Sequence, residues 1–343
     1  EIYTQQDTLS LHDALPIGSI TNGVHAPTWV DPLLSQLIER SLGAWDLDDP
    51  ATWERVPTMR WEDLWATKRE LRAQLVADAR KRVRKSWIQR GASTPELGWV
   101  EDILDPDVLT IGFARRVPTY KRLTLMLSDP ERLTKLLLHP ERPIQLVIAG
   151  KSHPADDTGK KLIQQLVRFS DDPSVRHRIV YLPNYDIEMA QYLYPGCDVW
   201  LNNPLRPFEA CGTSGMKAAL NGGLNLSILD GWWDEWFDGQ NGWAIPTADG
   251  VADPDRRDDL EAAALYDLIE NSVAPHFYDR DANGLPPHWL SMVSHTFATL
   301  SPKVLASRMV RDYTEKLYGP AARAGVALDG TGWRGAKALA AYK

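Results

Sequence analysis

Val108-Leu109-Thr110-Ile111-Gly112-Phe113-Ala114 is a nearly unbroken apolar run that stops abruptly at Arg115-Arg116. A strand with one wet face alternates apolar and polar residues. A continuous run marks a strand covered on both faces. Similar runs follow at residues 144–149, 178–182, 197–201 and 224–229, with amphipathic stretches between them. The first three are spaced by about 35 residues, the length of a strand–helix–strand unit. The pattern predicts an α/β fold, a doubly wound parallel sheet with helices on both sides. In such sheets ligands bind at the carboxyl ends of the strands. The residues expected there are Arg115 and Arg116, Gly150 and Lys151, Asn184 and Tyr185, and Asn202 and Asn203.

Outward from the sheet, taken as residues 101–250, the chain reads as helical on both sides. In the region 31–100, Leu33, Leu34, Leu37 and Ile38 share one face. Trp61, Leu64, Trp65, Lys68, Leu71 and Leu75 continue at three- and four-residue spacing. The basic run Arg80, Lys81, Arg82, Arg84 and Lys85 reads as a solvated helix face. In the tail, 251–343, Ser301-Pro302 looks like an N-cap followed by proline at the first helical position. Leu305, Met309, Tyr313 and Leu317 then repeat every fourth residue, whereas the Gly/Ala-rich segment beyond Tyr318 has weak periodicity and is expected to be mobile.

The net charge of −8 argues against nucleic acid as a partner, because phosphate backbones select basic faces. No apolar run approaches the ~18 residues that span a bilayer, so no membrane partner is expected. Two cysteines, Cys197 and Cys211, without short spacing, form neither a disulfide framework nor a zinc motif, and a cytoplasmic location fits. Fourteen tryptophans is a high count; tryptophan stacks on sugars, but it fills cores more often. Residues 1–17 read like a translated sequencing adapter and are set outside the fold, which makes the chain a piece of an interrupted gene.

Three stretches carry chemistry. In Glu209-Ala210-Cys211-Gly212-Thr213-Ser214-Gly215-Met216-Lys217, a small-residue loop leads into a helix that bears a lysine at its start. Amides and hydroxyls there can face an anion, and an anion nest beside an amine suits a phosphate-bearing aldehyde. An ordinary turn with a surface lysine has the same residues. In Arg115-Arg116-Val117-Pro118-Thr119-Tyr120-Lys121-Arg122, four cations crowd the end of a central strand. They suit phosphate contacts or a set of salt bridges. In Thr21-Asn22-Gly23-Val24-His25, with Trp29 beyond, Asn-Gly marks a turn. Its Asn and His can read sugar hydroxyls or be structural.

Together and in this order, from about Gly18 to about Trp243, these stretches resemble the α-glucan (glycogen, starch or maltodextrin) phosphorylase family, in its shorter, bacterial-type branch. The resemblance implies a C-terminal half of a two-domain GT-B glycosyltransferase, with a Rossmann-like domain at 101–250 and residues 18–30 at the end of the preceding domain. It implies phosphorolysis of α-1,4-glucan by inorganic phosphate with retention, pyridoxal phosphate as cofactor, and an intact parent that is a homo-oligomer. By the match, Lys217 is the Schiff-base lysine, and Thr213, Gly212, Arg115, Tyr185 and Trp29 contact the cofactor. Arg116 and Lys121 hold the substrate phosphate and count with Lys217 as catalytic. Asn22, Tyr120, Glu209, Cys211 and Gly212 contact the sugar. Cys211 stands where the family commonly has serine, which weakens side-chain hydrogen bonding there. Asp186 stands where some members have arginine, and no role is carried to it. Two other readings stay open. One is a nucleotide-sugar glycosyltransferase of glycogen-synthase type, which needs no Schiff-base lysine. The other is a non-catalytic glucan-binding fragment.

Overall fold

A computed structural model describes residues 18–43, 45–116, 122–329 and 332–342, with all their side chains except those of Arg116, Asp329 and Leu339. The segment 1–17, together with Tyr120 and Lys121, lies outside the described residues.

The five apolar runs are strands: β1 (Leu109–Arg116), β2 (Ile144–Lys151), β3 (Ile179–Pro183), β4 (Val199–Asn202) and β5 (Leu224–Ile228). A sixth, β6 (Gly242–Ile245), escaped the sequence reading, being four residues long and opened by glycine. All pair in parallel, in the order β3-β2-β1-β4-β5-β6. The order reverses between β1 and β4, and the crevice at such a reversal is where doubly wound sheets bind ligands.

Alternate side chains of β1 to β4 enter two different cores, as continuous apolar runs require. Leu109, Ile111 and Phe113, with Ile144, Leu146 and Ile148, join one core; Ala114, Val147, Ala149, Val180 and Leu182 join the other. In chain order the helices that matter here are α1 (Ala26–Trp29), α2 (Pro32–Leu42), α3 (Pro50–Arg55), α4 (Trp61–Gln89), α5 (Pro130–Leu137), α6 (Asp157–Ser170), α7 (Ile187–Gly196) and α8 (Thr213–Ala219). Leu133, Leu136 and Leu137 of α5 cover the first face, and Leu75, Val76, Ala79 and Val83 of α4 with Leu193 and Tyr194 of α7 cover the second. The sheet is therefore doubly wound. Trp53, Trp200, Trp233 and Trp289 are among the largest fully buried side chains, so tryptophan serves mainly as core.

Two local expectations are corrected. Arg80, Arg82 and Arg84 are half-buried rather than a freely solvated face. Arg80 donates to the carbonyls of Ile103 and Leu104, Arg82 pairs with Asp78, and Arg84 pairs with Glu101. Ser301 is not an N-cap: the helix Pro287–Thr299 runs through an α-conformation Leu300, so Ser301 is the first residue of a short helix, its hydroxyl buried without a partner. Beyond Tyr318 the chain forms two further helices, Gly319–Asp329 and Arg334–Tyr342. Their alanines favour helix intrinsically and need no apolar stripe to do so.

Candidate active site

At the carboxyl ends of β1 and β2, and beside the loop that follows β4, lies a cleft of about 940 Å³. The three sequence stretches meet there. Asn22, Arg115, Tyr185, Glu209, Cys211, Gly212, Thr213 and Lys217 all line it. Trp29 stands beneath Lys217, whose Nζ lies 3.7 Å from the Trp29 ring centroid and 5.4 Å from that of Tyr194. Of the remaining expected residues, Tyr120 and Lys121 fall outside the described residues and so does the Arg116 side chain; the Arg116 backbone ends β1 opposite Lys151 of β2.

The glycine-rich loop ends three residues sooner than its composition suggests. Gly212, at φ 82°, is the N-cap of α8, and Thr213, Ser214 and Gly215 already form its first turn. Only glycine adopts that backbone angle without cost. Lys217 consequently sits in the last turn of α8, not at its start. It is half-buried, and burial alone holds its pKa below the ordinary lysine value. Trp29 and Tyr194 meet edge to face at 5.6 Å, and the Tyr194 hydroxyl lies 2.6 Å from that of Tyr185. Burial raises the pKa of both phenols.

The cation cluster divides. Arg122 is committed to structure: its guanidinium contacts Glu261 at 2.6 Å and Asp258 at 2.9 Å and donates to the Asn203 and Pro204 carbonyls at 2.9 Å each. It thereby braces the loop after β4. Arg115 donates from Nη1 to Glu209 Oε2 at 2.6 Å, both residues being more than nine-tenths buried. Arg115 Nε and Nη2 are buried with no hydrogen-bond partner among the described residues. Unpaired donors of this kind are costly unless an acceptor arrives.

The loop 209–212 is held from below. The Glu209 amide donates to Asp230 Oδ2 at 2.9 Å, the Trp232 amide to the Cys211 carbonyl at 3.3 Å, and Trp232 Nε1 to the Gly212 carbonyl at 3.0 Å. Burial pushes the Cys211 thiol up, against hydrogen bonding with Asn22 that pulls it down. The Asn22 segment is pinned by the tail. Val24 bridges to Leu305, and Arg308 Nη2 donates to the Thr21 and Asn22 carbonyls at 2.8 and 3.0 Å.

Several cleft residues were not singled out by sequence: Tyr194, Ser152, His153, Pro154 and Asp156. The loop 152–156 follows β2 and could have been found from its place after a strand. Tyr194 carried no signal, since it lies within the apolar pattern of α7. Lys151, noted after its strand, also lines the cleft. No helix of the described residues is long and apolar enough to cross a membrane.

Comparison with known proteins places this cleft in context. The family model described as carbohydrate phosphorylase matches residues 13–235. Glycogen phosphorylase of Mycobacterium tuberculosis is 63% identical over 331 residues, covering 96% of this chain and 38% of the relative. Glycogen phosphorylase of Aquifex aeolicus is 44% identical over 307 residues, covering 88% of the chain and 44% of the relative. Maltodextrin phosphorylase of Thermococcus litoralis is 36% identical over 336 residues, covering 96% and 39%. The chain thus spans about two fifths of the length of these relatives. With the family model matching well over half of its residues, the chain belongs to the carbohydrate phosphorylase family.

Proposed function

We propose that this chain is the cofactor-holding half of an α-1,4-glucan phosphorylase of GT-B architecture, whose intact form releases α-glucose 1-phosphate from glucan and inorganic phosphate. The observation that carries the reading is the meeting, in one cleft, of a half-buried amine at Lys217 and a buried arginine with unpaired donors at Arg115. The chemistry of this donor set fits pyridoxal phosphate. An amine whose pKa is lowered by burial gives up its proton more readily, as attack on an aldehyde requires. A phosphate gives the orphaned Arg115 N–H groups the acceptor they lack. When bound, the cofactor supplies a phosphate group that relays a proton beside the substrate phosphate.

The chain's own residues then have separable tasks. Lys217 holds the cofactor, while Trp29 and Tyr194 keep water from its amine. Arg115, Gly212, Thr213 and Tyr185 contact the cofactor. Arg115 also orients Glu209, which with Asn22, Tyr120, Cys211 and Gly212 binds the glucosyl unit. Arg116 and Lys121 hold the substrate phosphate. Two neighbouring phosphates would repel, and the cations Arg115, Arg116 and Lys121 would offset this and set their proton affinities. Residues 18–30 are the end of the preceding domain, whose remainder forms the far wall of the cleft in the intact enzyme. On that division the isolated chain binds cofactor without turning over glucan.

Borohydride reduction of the purified chain with pyridoxal phosphate, followed by peptide mapping, tests the assignment. A pyridoxyl group on Lys217 is expected. Its absence there, with other lysines labelled, would overturn the cofactor reading and favour a nucleotide-sugar glycosyltransferase. Robust glucose 1-phosphate release by the chain alone would overturn the division of the site.

A further inference from the structure

Asn221 lies at the carboxyl end of α8, fully buried and outside the cleft lining. Its side chain uses an amide's two kinds of hydrogen-bonding group. Nδ2 donates to the Trp29 carbonyl at 2.7 Å and to the Lys217 carbonyl at 2.9 Å, and Oδ1 accepts from the Asp31 amide at 2.9 Å. Its own carbonyl accepts from Lys68 Nζ at 3.0 Å. Lys68, on α4 and 3% exposed, also donates to the Pro195 carbonyl at 2.6 Å and the Cys197 carbonyl at 3.3 Å. Pro195 directly follows Tyr194.

These contacts join three backbones that are far apart in sequence. They are the segment bearing Trp29, the helix bearing Lys217 and the helix end bearing Tyr194. Their side chains are the ones that surround the Lys217 amine. A lysine spanning the carboxyl ends of two helices is favoured by the partial negative charge there, but that alone calls for no particular neighbour. The convergence on one amine does.

We infer that Asn221, backed by Lys68, is a positioning residue that sets the Lys217 amine between Trp29 and Tyr194. The inference rests on the reading of Lys217 as the cofactor lysine, yet it makes a claim about the amine that needs no cofactor to test. No aspartate can replace the amide, having no N–H to give to the two carbonyls. A leucine of similar volume leaves three backbone groups unpaired.

The test compares the unsubstituted chain with Asn221→Leu and with Asn221→Ser, which keeps one hydroxyl donor and serves where the leucine variant fails to fold. Reductive methylation with labelled formaldehyde lets the Lys217 amine be titrated by NMR without cofactor. In the unsubstituted chain it titrates below the ordinary lysine value, because burial lowers it. In either variant it moves up toward that value. Borohydride-trapped uptake of pyridoxal phosphate at Lys217 slows by about tenfold or more, since an ångström-scale misplacement of a reacting group is worth up to about 10²-fold. Labelling of exposed Lys81 stays the same. Unchanged titration and unchanged trapping at Lys217 in a folded variant overturn the inference, whatever the loss in urea midpoint. Failure of the cofactor reading looks different: no trapping at Lys217 in the unsubstituted chain, with the titration difference still present.

Discussion

Lys68→Met should change stability in a way that depends on pH with a fixed sign. The Lys68 amine is buried, and burial pulls its pKa from 10.5 down to about 8, with the Asp198 carboxylate opposing and the Arg72 guanidinium assisting. Between about 8 and 10.5 the unfolded chain keeps the proton and the folded chain has shed it. The unfolded state then binds more protons, so unfolding free energy rises with pH across that window, by up to about 1.4 kcal/mol per unit and about 3 kcal/mol in all. Below about pH 8 both states carry the proton, and the whole cost of burying the charge is in place. Methionine keeps much of the stem's volume and cannot titrate. It also abandons the carbonyls of Pro195, Cys197 and Asn221, each a loss of about 1–3 kcal/mol where water cannot replace the donor. At pH 7 relief of the buried charge offsets part of that loss; at pH 10.5 nothing does. The stability gap between the two proteins should therefore widen by about 3 kcal/mol from pH 7 to 10.5. Urea unfolding of both at half-unit pH intervals measures it, and the difference cancels the other groups that titrate there, such as Cys197, whose thiol burial pushes up. A gap that stays constant or narrows with pH would refute the argument.

Asp198→Ala leaves Arg72 buried without its carboxylate, the pair being 2.6 Å apart and each side chain 1% exposed, and strips the Thr110 amide of its acceptor. It should cost about 3–5 kcal/mol in urea unfolding, whereas Arg69→Ala, which breaks an exposed pair with Asp107, should leave the urea midpoint almost unchanged. Gly23→Ala puts a Cβ 2.3 Å from the Leu305 carbonyl oxygen, so the backbone must move. A loss of about 1–3 kcal/mol is expected, together with weaker maltose binding as Asn22 leaves the cleft; equal maltose affinity in calorimetry would separate the Asn22 segment from sugar recognition.

Strands β1 to β5 were legible because they are buried on both faces, and that demand writes itself into a local run of mostly apolar residues. Strand β6 was not, because Gly242-Trp243-Ala244-Ile245 is too short for a period and its pairing with β5 is what makes it a strand. Ser301 misled for a related reason. A serine before proline is a good local cap, but the preceding helix continues into Leu300, and the turn that forms there buries the hydroxyl. The cleft residues Arg115, Lys151 and Tyr185 could be read from their place after the first three runs, whereas Asn202 and Asn203, after the fourth, do not line the cleft. Asn221 could not: its partner Trp29 is 192 residues away, and an asparagine before Gly-Gly looks like a turn. Arg308 reaches back 286 residues to the Asn22 carbonyl, from a helix that looked only amphipathic.

The division of the arginines shows what kind of information is missing from a local motif. Arg115 and Arg122 stand seven residues apart in one basic stretch, and by sequence either suits a phosphate. Their fates are set by acids elsewhere. Arg122 meets Glu261 and Asp258 on the helix Pro254–Leu268, and two carbonyls take its remaining forks. Among the described residues Arg115 pairs with the one acid Glu209 and retains two donors. A cation whose charge and donors are all used at home stabilises a loop; one with donors left over can take a ligand. That distinction depends on counting partners in space, and the count differs here because the helix Pro254–Leu268 brings Asp258 and Glu261 to Arg122, whereas Arg115 pairs with Glu209.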